Sequence, residues 1–312
     1  MNEGVEEMAI SEMQLEAWTG LGAVQAAEAS YAAVRNALAS VAAVRYKDAG
    51  RSYDVYLQGS YKNNTNIRGD SDVDVVVELQ STFGYDLDEL HPSEKARFHQ
   101  EHSGSATYHL EEFREDVLYA LRLYFGAGSV TEGDKAIKIA GAAGRLPADV
   151  VVCLEYHKYT HYLEGARRYV PGIRFYTQKD HRRVINYPTL HYDNGVAKNK
   201  ATNERYKPAV RMFKNARNYM ESNGLLAKNA APSYFVQCFL YNAPDKAFSG
   251  NLQDAFFNVV SSLVGRFTDG TADAFMCQNG QVPLFGDTPE QWSQSNAIAL
   301  LSALLKLWGK GT

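Results

Sequence analysis

The stretch YDVYLQGSYKNNTNIRGDSDVDVVVEL, residues 53–79, decides the fold of this chain. Its composition predicts a short strand at 53–58, a Gly-Ser pair, a spacer, and a buried strand rich in valine at 73–79. Asp72 and Asp74 are two positions apart along the second strand, so both carboxylates are expected on one face. This order of elements predicts a site for charged chemistry at the start of the second strand.

The two carboxylates predict a divalent cation site. They repel each other and are costly to desolvate among valines, and hard oxygen ligands select Mg²⁺, or Mn²⁺ in its place. Asp149 begins the run Asp-Val-Val-Val at 149–152 and is the candidate third ligand, because a neighbouring strand can bring it to the same face. By itself, Asp-x-Asp is also compatible with a solvated strand edge.

The Gly59-Ser60 pair favours the catalytic interpretation. Glycine lets the backbone approach a phosphate, and serine offers it a hydroxyl and an N–H. The residues after Ser60 are expected to be helical and to offer further N–H groups to the same anion. Gly-Ser after one strand and Asp-x-Asp on the next therefore indicate metal-assisted nucleotidyl transfer.

The rest of the chain predicts an α+β protein. We expect one long N-terminal helix over 13–46, kinked near Gly20, a helix at 108–125, and strands at 134–139 and 148–154. The segment 155–203 shows few clear periods and is expected to be irregular. Later helices are predicted at 206–223, 233–243, 251–267 and 290–308. We therefore expect a catalytic domain at 1–200 and a helical domain at 201–312 that completes the nucleotide pocket, with the long N-terminal helix bridging both.

Composition limits the function further. The 312 residues carry a net charge of −4, which does not favour binding to a nucleic acid duplex. Cys153, Cys238 and Cys277 have no zinc or disulfide spacing and are expected to be buried free thiols. His157 and His161 are four apart, but no further ligand follows, so a solvated helix end or loop is expected there. The N-terminus has no secretory signal and no apolar run could span a membrane, so we expect a cytoplasmic protein.

The motif order resembles the DNA polymerase beta-like nucleotidyltransferase superfamily, a mixed sheet with helices. The fuller string QGSYKNNTNIRGDSDVD, residues 58–74, is similar to the bacterial cGAS/DncV-like nucleotidyltransferases (CD-NTases), which make second messengers in CBASS anti-phage systems, and most of all to clade E, CdnE. Five later motifs agree with it: LPADVVVCLEY (146–156), INYPTLHYDNG (185–195), YKPAVRMFKNAR (206–217), APSYF (231–235) and the CQNGQ…LFG segment (277–286).

The resemblance implies a role for each site residue. Asp72, Asp74 and Asp149 would be the triad that binds two Mg²⁺ ions, Gln58, Gly59 and Ser60 would contact the donor nucleotide, Lys214 would reach its triphosphate, Ser233 would touch phosphate and Tyr234 would stack on a base. From the residues alone, Lys214 is also compatible with a solvated helix face, and Ser233 with a helix N-cap.

Asn186 is the residue that predicts base choice. In clade E an asparagine at this place in the Asn-Tyr-Pro segment is associated with selecting a pyrimidine. A carboxamide carries a donor and an acceptor, so it can match the mixed edge of uracil. A structural asparagine that closes a turn before Pro188 would also fit the sequence.

We therefore expect a cyclic dinucleotide synthase that joins UTP and ATP into cyclic UMP-AMP, with cyclic di-UMP as the main rival product. A related transferase that modifies RNA ends or a small molecule would carry the same motifs, and so would a non-catalytic nucleotide sensor.

The resemblance implies a CBASS effector that reads the product. It also leaves open transfer of the C-terminus, which ends at Gly311-Thr312, to a ubiquitin-like conjugation enzyme, although a frayed tail would fit as well. We expect a monomer with no membrane or double-stranded DNA partner.

Overall fold

The computed structural model describes residues 10–40, 52–68 and 72–310, and these form two compact units. The sheet unit comprises residues 23–40, 52–62 and 72–189, and the helical unit comprises residues 10–22, 63–68 and 190–310. Each unit is assembled from separate parts of the chain. The domain boundary between residues 200 and 201 stays a prediction.

The N-terminal region is two helices, so the prediction of one long helix was wrong. Helix α1 is Glu12–Trp18, in the helical unit, and α2 is Val24–Ala39, in the sheet unit. Gly22 lies in the break and approaches the Ile67 carbonyl so closely that a Cβ would lie 2.5 Å from its oxygen, so glycine is needed there. The Gly22 N–H also donates to the Asn66 carbonyl at 3.2 Å instead of to a preceding helical turn. The predicted positions 41–46 lie outside the described residues.

A mixed sheet of seven strands forms the sheet unit within the described part of the chain. The strands are β1 Tyr53–Leu57, β2 Val73–Asp86, β3 Val130–Glu132, β4 Ile137–Ile139, β5 Ala148–Leu163, β6 Ala166–Tyr176 and β7 Arg183–Asn186. Their order is β1-β2-β5-β4-β3, with β6 paired to β5 and β7 paired to β6. The β2–β5 pair is parallel and all the others are antiparallel. The predicted mixed sheet is confirmed.

The segment 155–203 is regular, contrary to the prediction. Strand β5 continues to Leu163 and pairs with β6, and helix α6 covers Pro188–Ala201. The buried positions of α6 are His191, Gly195 and Asn199, none of which is strongly apolar. Hydrophobic periodicity could not reveal this helix because its inward face carries polar and small residues.

His157 and His161 lie on strand β5, so the predicted helix end or loop was also wrong. The Nε2 atom of His157 is 2.8 Å from a carboxylate oxygen of Glu155, and its ring stacks on Tyr169 at 3.8 Å between centroids. His157 is therefore part of a packed strand surface, whereas His161 is exposed.

Three further helices belong to the first part of the chain. They are α3 Gly59–Asn63, α4 Pro92–Glu101 and α5 Leu110–Phe125. Helix α5 confirms the prediction for 108–125 and ends at Gly126 as expected. It buries Phe113, Val117 and Leu121 on one face, because apolar residues recur there at helical spacing. Helices α2 and α5 pack on each other, α2 on β2, and α5 on β5.

The helical unit is built from α1, most of α6 and four later helices. These are α7 Tyr206–Ser222, α8 Ser233–Tyr241, α9 Leu252–Thr268 and α10 Gln294–Lys310, all close to their predicted ranges. Aromatic rings join the helices in its core: Phe213 of α7 stacks on Phe256 of α9, which in turn stacks on Trp308 of α10. The three cysteines are buried free thiols, as expected. In the described ranges, no helix is both long and apolar enough to cross a bilayer.

Candidate active site

Asp74 and Asp149 are neighbours on the parallel strands β2 and β5. They occupy the same register position, with Asp74 paired to Asp149 across the ladder. Residues paired in this way point to the same face, and the strands lie about 4.8 Å apart. The structure thus brings together two of the three predicted acidic residues, although they come from distant parts of the chain.

Asp72 precedes β2 and is exposed. Burial raises the pKa of Asp149, the charge of Lys138 opposes this rise, and the charge of Asp72 adds to it. The Nζ atom of Lys138 is 3.9 Å from Oδ2 of Asp149, which is a weak ion pair because the lysine is largely solvated. Asp72 is therefore close enough to act on Asp149 electrostatically.

The residues 10–40, 52–68 and 72–310 contain no ready-made group of three His, Cys, Asp or Glu side chains placed to hold a metal ion. The donor set nevertheless fits a divalent cation in its chemistry. Asp74 and Asp149 are register neighbours that offer carboxylate oxygens, burial raises the pKa of Asp149, and Lys138 opposes this rise only weakly.

Gly59 is required by its contact with Asp74. Its φ angle is +66°, and a Cβ at this position would lie 1.9 Å from Oδ2 of Asp74. The preceding Gln58 donates its backbone N–H to the Asp74 carbonyl at 3.0 Å. Ser60 follows in the first turn of α3 and is partly exposed. The Gly-Ser pair is therefore held directly against the acidic strand.

Asn186 is the last residue of β7 and is partly buried. Its Oδ1 accepts a hydrogen bond from the backbone N–H of Tyr187 at 2.8 Å. The local bond expected of a structural asparagine is therefore present. Its Nδ2 amide donates to none of the described residues, so the side chain keeps a donor for another partner.

Lys214 is 1% exposed on α7, and its Nζ donates to the backbone carbonyl of Thr65 at 2.8 Å. A solvated helix face is therefore excluded for this lysine. Beside it on α7, Arg211 donates to the carbonyl of Asn64. Two buried cations on α7 thus hold the backbone carbonyls of Asn64 and Thr65.

Ser233 and Tyr234 begin helix α8. Pro232, not Ser233, occupies the N-cap position, and the Ser233 hydroxyl accepts a hydrogen bond from Arg217 at 3.2 Å. The expectation of a serine N-cap was therefore wrong.

Tyr234 is 38% exposed as a residue although its hydroxyl is buried. Burial, with the Cys238 and Cys277 thiols adding to it, raises the pKa of this hydroxyl, so the phenol stays neutral. One side of the ring stacks on His191, with centroids 5.1 Å apart and planes at 23°. Trp292 lies against the same ring at 5.7 Å between centroids, so Tyr234 is an anchored, partly exposed aromatic residue of the kind that can stack on a planar ligand.

Sequence reasoning missed a set of buried polar side chains behind Tyr234. They are Thr65, His191, Gln237 and Gln278, all less than 9% exposed. A signal was present in Gln237, a polar residue inside the apolar run of α8, SYFVQCFLY. Such a residue needs hydrogen-bond partners, but the sequence does not show which ones.

Two family descriptions match the chain. A nucleotidyltransferase domain matches residues 42–164, and the cGAS/DncV-like nucleotidyltransferase C-terminal helical domain matches residues 193–309. Cyclic UMP-AMP synthase from Rhodothermus marinus is 45% identical over 301 residues, covering 96% of this chain and 98% of that protein. Cyclic nucleotide synthase CdnE01 from Staphylococcus haemolyticus is 36% identical, covering 97% and 100%.

A solved structure extends this similarity to three dimensions. The Rhodothermus marinus CdnE c-UMP-AMP synthase, determined with Apcpp and Upnpp, superposes with a TM-score of 0.85 at 44% identity and covers 97% of this chain and 98% of that one. Members of the nucleotidyltransferase family generally use divalent metal ions. The acidic pair, the glycine held against it and similarity along nearly the whole chain lead to one conclusion: this protein is a CdnE-type cyclic dinucleotide synthase and belongs to the cGAS/DncV-like nucleotidyltransferases.

Proposed function

We propose that this enzyme joins UTP and ATP into cyclic UMP-AMP. The observation that carries the proposal is the pairing of Asp74 with Asp149 in a chain that is 45% identical to a cyclic UMP-AMP synthase over 96% of its length. Two successive nucleotidyl transfers are needed. In each, a ribose hydroxyl attacks an α-phosphorus, a new P–O bond forms and pyrophosphate leaves.

Asp72, Asp74 and Asp149 are the residues that would hold the divalent cations. When bound, two Mg²⁺ ions supply neutralisation of the triphosphate charge and a lower pKa for the attacking hydroxyl. By holding the ions, the carboxylates would orient the triphosphate and the attacking ribose hydroxyl, and they must be ionised to do so. Because Asp149 has a raised pKa, its ionised form is favoured by positive charge brought beside it.

The Gly-Ser turn would hold the donor phosphates. Gly59 leaves the backbone open beside Asp74, and Ser60 offers both a hydroxyl and an N–H from the start of α3. In the helical unit, the hydroxyl of Ser233 and the charge of Lys214 are proposed to contact phosphate oxygens. Lys214 has rigid support for this, since its Nζ is already placed by the Thr65 carbonyl.

Base recognition is assigned to Tyr234 and Asn186. The partly exposed Tyr234 would stack on a base. Asn186 would donate its Nδ2 hydrogen to a uracil carbonyl and accept from N3–H with the second lone pair of Oδ1. The bond from Tyr187 to Oδ1 supports this, because it fixes which end of the carboxamide donates.

Incubation of the purified protein with all four labelled NTPs and Mg²⁺ tests the proposal. We expect a phosphatase-resistant product that contains uridine and adenosine. Cyclic di-UMP would correct the second base, and a product without uridine would contradict the proposal. The variant Asp287→Asn is the matched control for substitutions of the acidic residues, because Asp287 is an exposed carboxylate far along the chain.

The partner proposals follow from the same function. The product would be read by a CBASS effector, and the net charge of −4 supports activity without double-stranded DNA. We propose a monomer, which light scattering during gel filtration would check. Conjugation of the C-terminus stays a prediction that intact-mass analysis with the conjugating enzyme would test.

A further inference from the structure

The hydrogen-bond directions in the helical unit determine the tautomer of His191. Nε2 of Gln278 lies 2.6 Å from the backbone carbonyl of His191, which can only accept, so this end of Gln278 is its amide NH₂. Its Oε1 must then accept, and it does so from the Tyr206 hydroxyl at 2.6 Å and from Nε2 of Gln237 at 3.2 Å.

The same reasoning extends from Gln237 to the histidine ring. Because Nε2 of Gln237 is a donor, the Nε2 atom of His191, 3.0 Å away, is the acceptor. The proton of the neutral ring is therefore on Nδ1, which is buried and has no partner in the described ranges. Burial lowers the pKa of His191 to about 4, so the ring is neutral at pH 7.

Thr65 stands at the other end of this network. Its hydroxyl donates to Oε1 of Gln237 at 3.0 Å, and its carbonyl accepts from Nζ of Lys214 at 2.8 Å. Thr65 is fully buried, so both contacts are shielded from water. Thr65 thus contacts Lys214, which is proposed to bind phosphate. Through Gln237 and His191 it is also connected to the Tyr234 ring, which is proposed to stack on a base.

We propose that His191 and Thr65 are positioning residues that couple stacking of a base on Tyr234 to the phosphate-binding group Lys214. His191 supports the Tyr234 ring from behind, and its Nε2 ties that ring to Gln237 and Thr65. A base stacked on Tyr234 is thereby connected to Lys214 through His191, Gln237 and Thr65. The inference rests on the proposed function for the roles of Tyr234 and Lys214.

Binding measurements separate this coupling from a general structural role. The probes are non-hydrolysable analogues of ATP and UTP, which carry a base, and inorganic tripolyphosphate, which does not. Thr65→Val removes the hydroxyl but keeps the shape and the carbonyl, while Thr65→Ser keeps the hydroxyl as the matched control. His191→Phe keeps a ring beneath Tyr234 but removes Nε2.

We expect Thr65→Val and His191→Phe each to weaken binding of the nucleotide analogues by about 10-fold, the effect of one lost buried hydrogen bond. The double variant should bind no more weakly than either single variant, because both break the same path. Thr65→Ser should bind like the unsubstituted protein, and tripolyphosphate should bind equally to all. A ¹⁵N spectrum of the His191 ring should show the Nδ1–H tautomer.

Three results would overturn the inference: unchanged nucleotide binding in both single variants, effects that multiply in the double variant, or an equal loss of tripolyphosphate binding. An Nε2–H tautomer would also contradict it. The test does not require catalysis. If the protein binds both analogues with the expected pattern but forms no cyclic product, the proposed function fails while the positioning role stands.

Discussion

Asp74 and Asp149 in the sheet unit are acidic, partly exposed and set side by side by two strands. His191, Gln237 and Gln278 in the helical unit are neutral, buried and joined by directed hydrogen bonds. The first arrangement brings two acidic groups together, which a divalent cation would balance. The second arrangement is uncharged, and its His191 ring restricts the orientation of the Tyr234 ring. Under the proposed function, this difference separates the residues proposed for phosphate chemistry from those proposed to position the substrate.

The largest effect should come from the acidic pair. In Asp74→Asn, cyclic dinucleotide synthesis should fall by more than about 1,000-fold, because metal-assisted activation of the hydroxyl is lost. Product formation with labelled NTPs measures this. The unfolding midpoint should not fall, since the change removes negative charge beside Asp149, and Asp287→Asn should leave both quantities unchanged. Retained synthesis in Asp74→Asn would remove the metal assignment.

Gly59→Ala tests how closely the Gly-Ser turn must approach that pair. The added methyl group would meet the Asp74 carboxylate at a positive φ, so we expect destabilisation by about 1–3 kcal/mol and at least about 100-fold lower activity. Denaturant unfolding and product assays measure the two effects. Gly265→Ala is the control, because no atom lies within 4 Å of its added Cβ and its φ is not positive. Equal behaviour of the two variants would contradict the close contact.

Asn186 tests whether base choice is separate from phosphate chemistry. Asn186→Asp keeps the oxygen that accepts from Tyr187 but replaces the donor, so use of UTP should fall by about 10- to 100-fold in kcat/KM. Use of ATP should change less. Competition between labelled UTP and ATP measures the ratio, and Asn186→Ala should show the same direction. An unchanged ratio in both variants would favour a purely structural asparagine.

The smallest effect concerns the pH dependence of stability contributed by His191. Its folded pKa of about 4 lies below the ordinary value of 6.5, so the unfolded chain binds the proton more readily. Stability from the neutral ring is therefore full above pH 6.5 and is lost as the pH falls towards 4. Between pH 7 and pH 5 the loss should be about 2 kcal/mol, and His191→Phe should lack it. Urea unfolding at the two pH values measures the difference. Equal losses in both proteins would show that His191 is not held neutral.

Local patterns were sufficient for much of the fold. The strand at 53–58, the start of β2, and helices α5, α7, α8 and α9 follow from periods and end signals that lie within each segment. The N-terminal break was missed because the partner of the Gly22 N–H there, the Asn66 carbonyl, lies outside the segment itself. The regular structure in 155–203 was missed for a related reason, since α6 turns polar and small residues inward.

The sequence by itself predicted the acidic site. Asp72 and Asp74 stand two positions apart at the start of a valine-rich run, and Gly59-Ser60 lies a short spacer away. Only the tertiary structure decided that Asp149 stands beside Asp74, that Lys214 is held by Thr65, and that Nε2 of His191 faces the Gln237 amide. These depend on strand pairing and hydrogen-bond direction, which are set by partners from distant segments and exist only once the chain has folded.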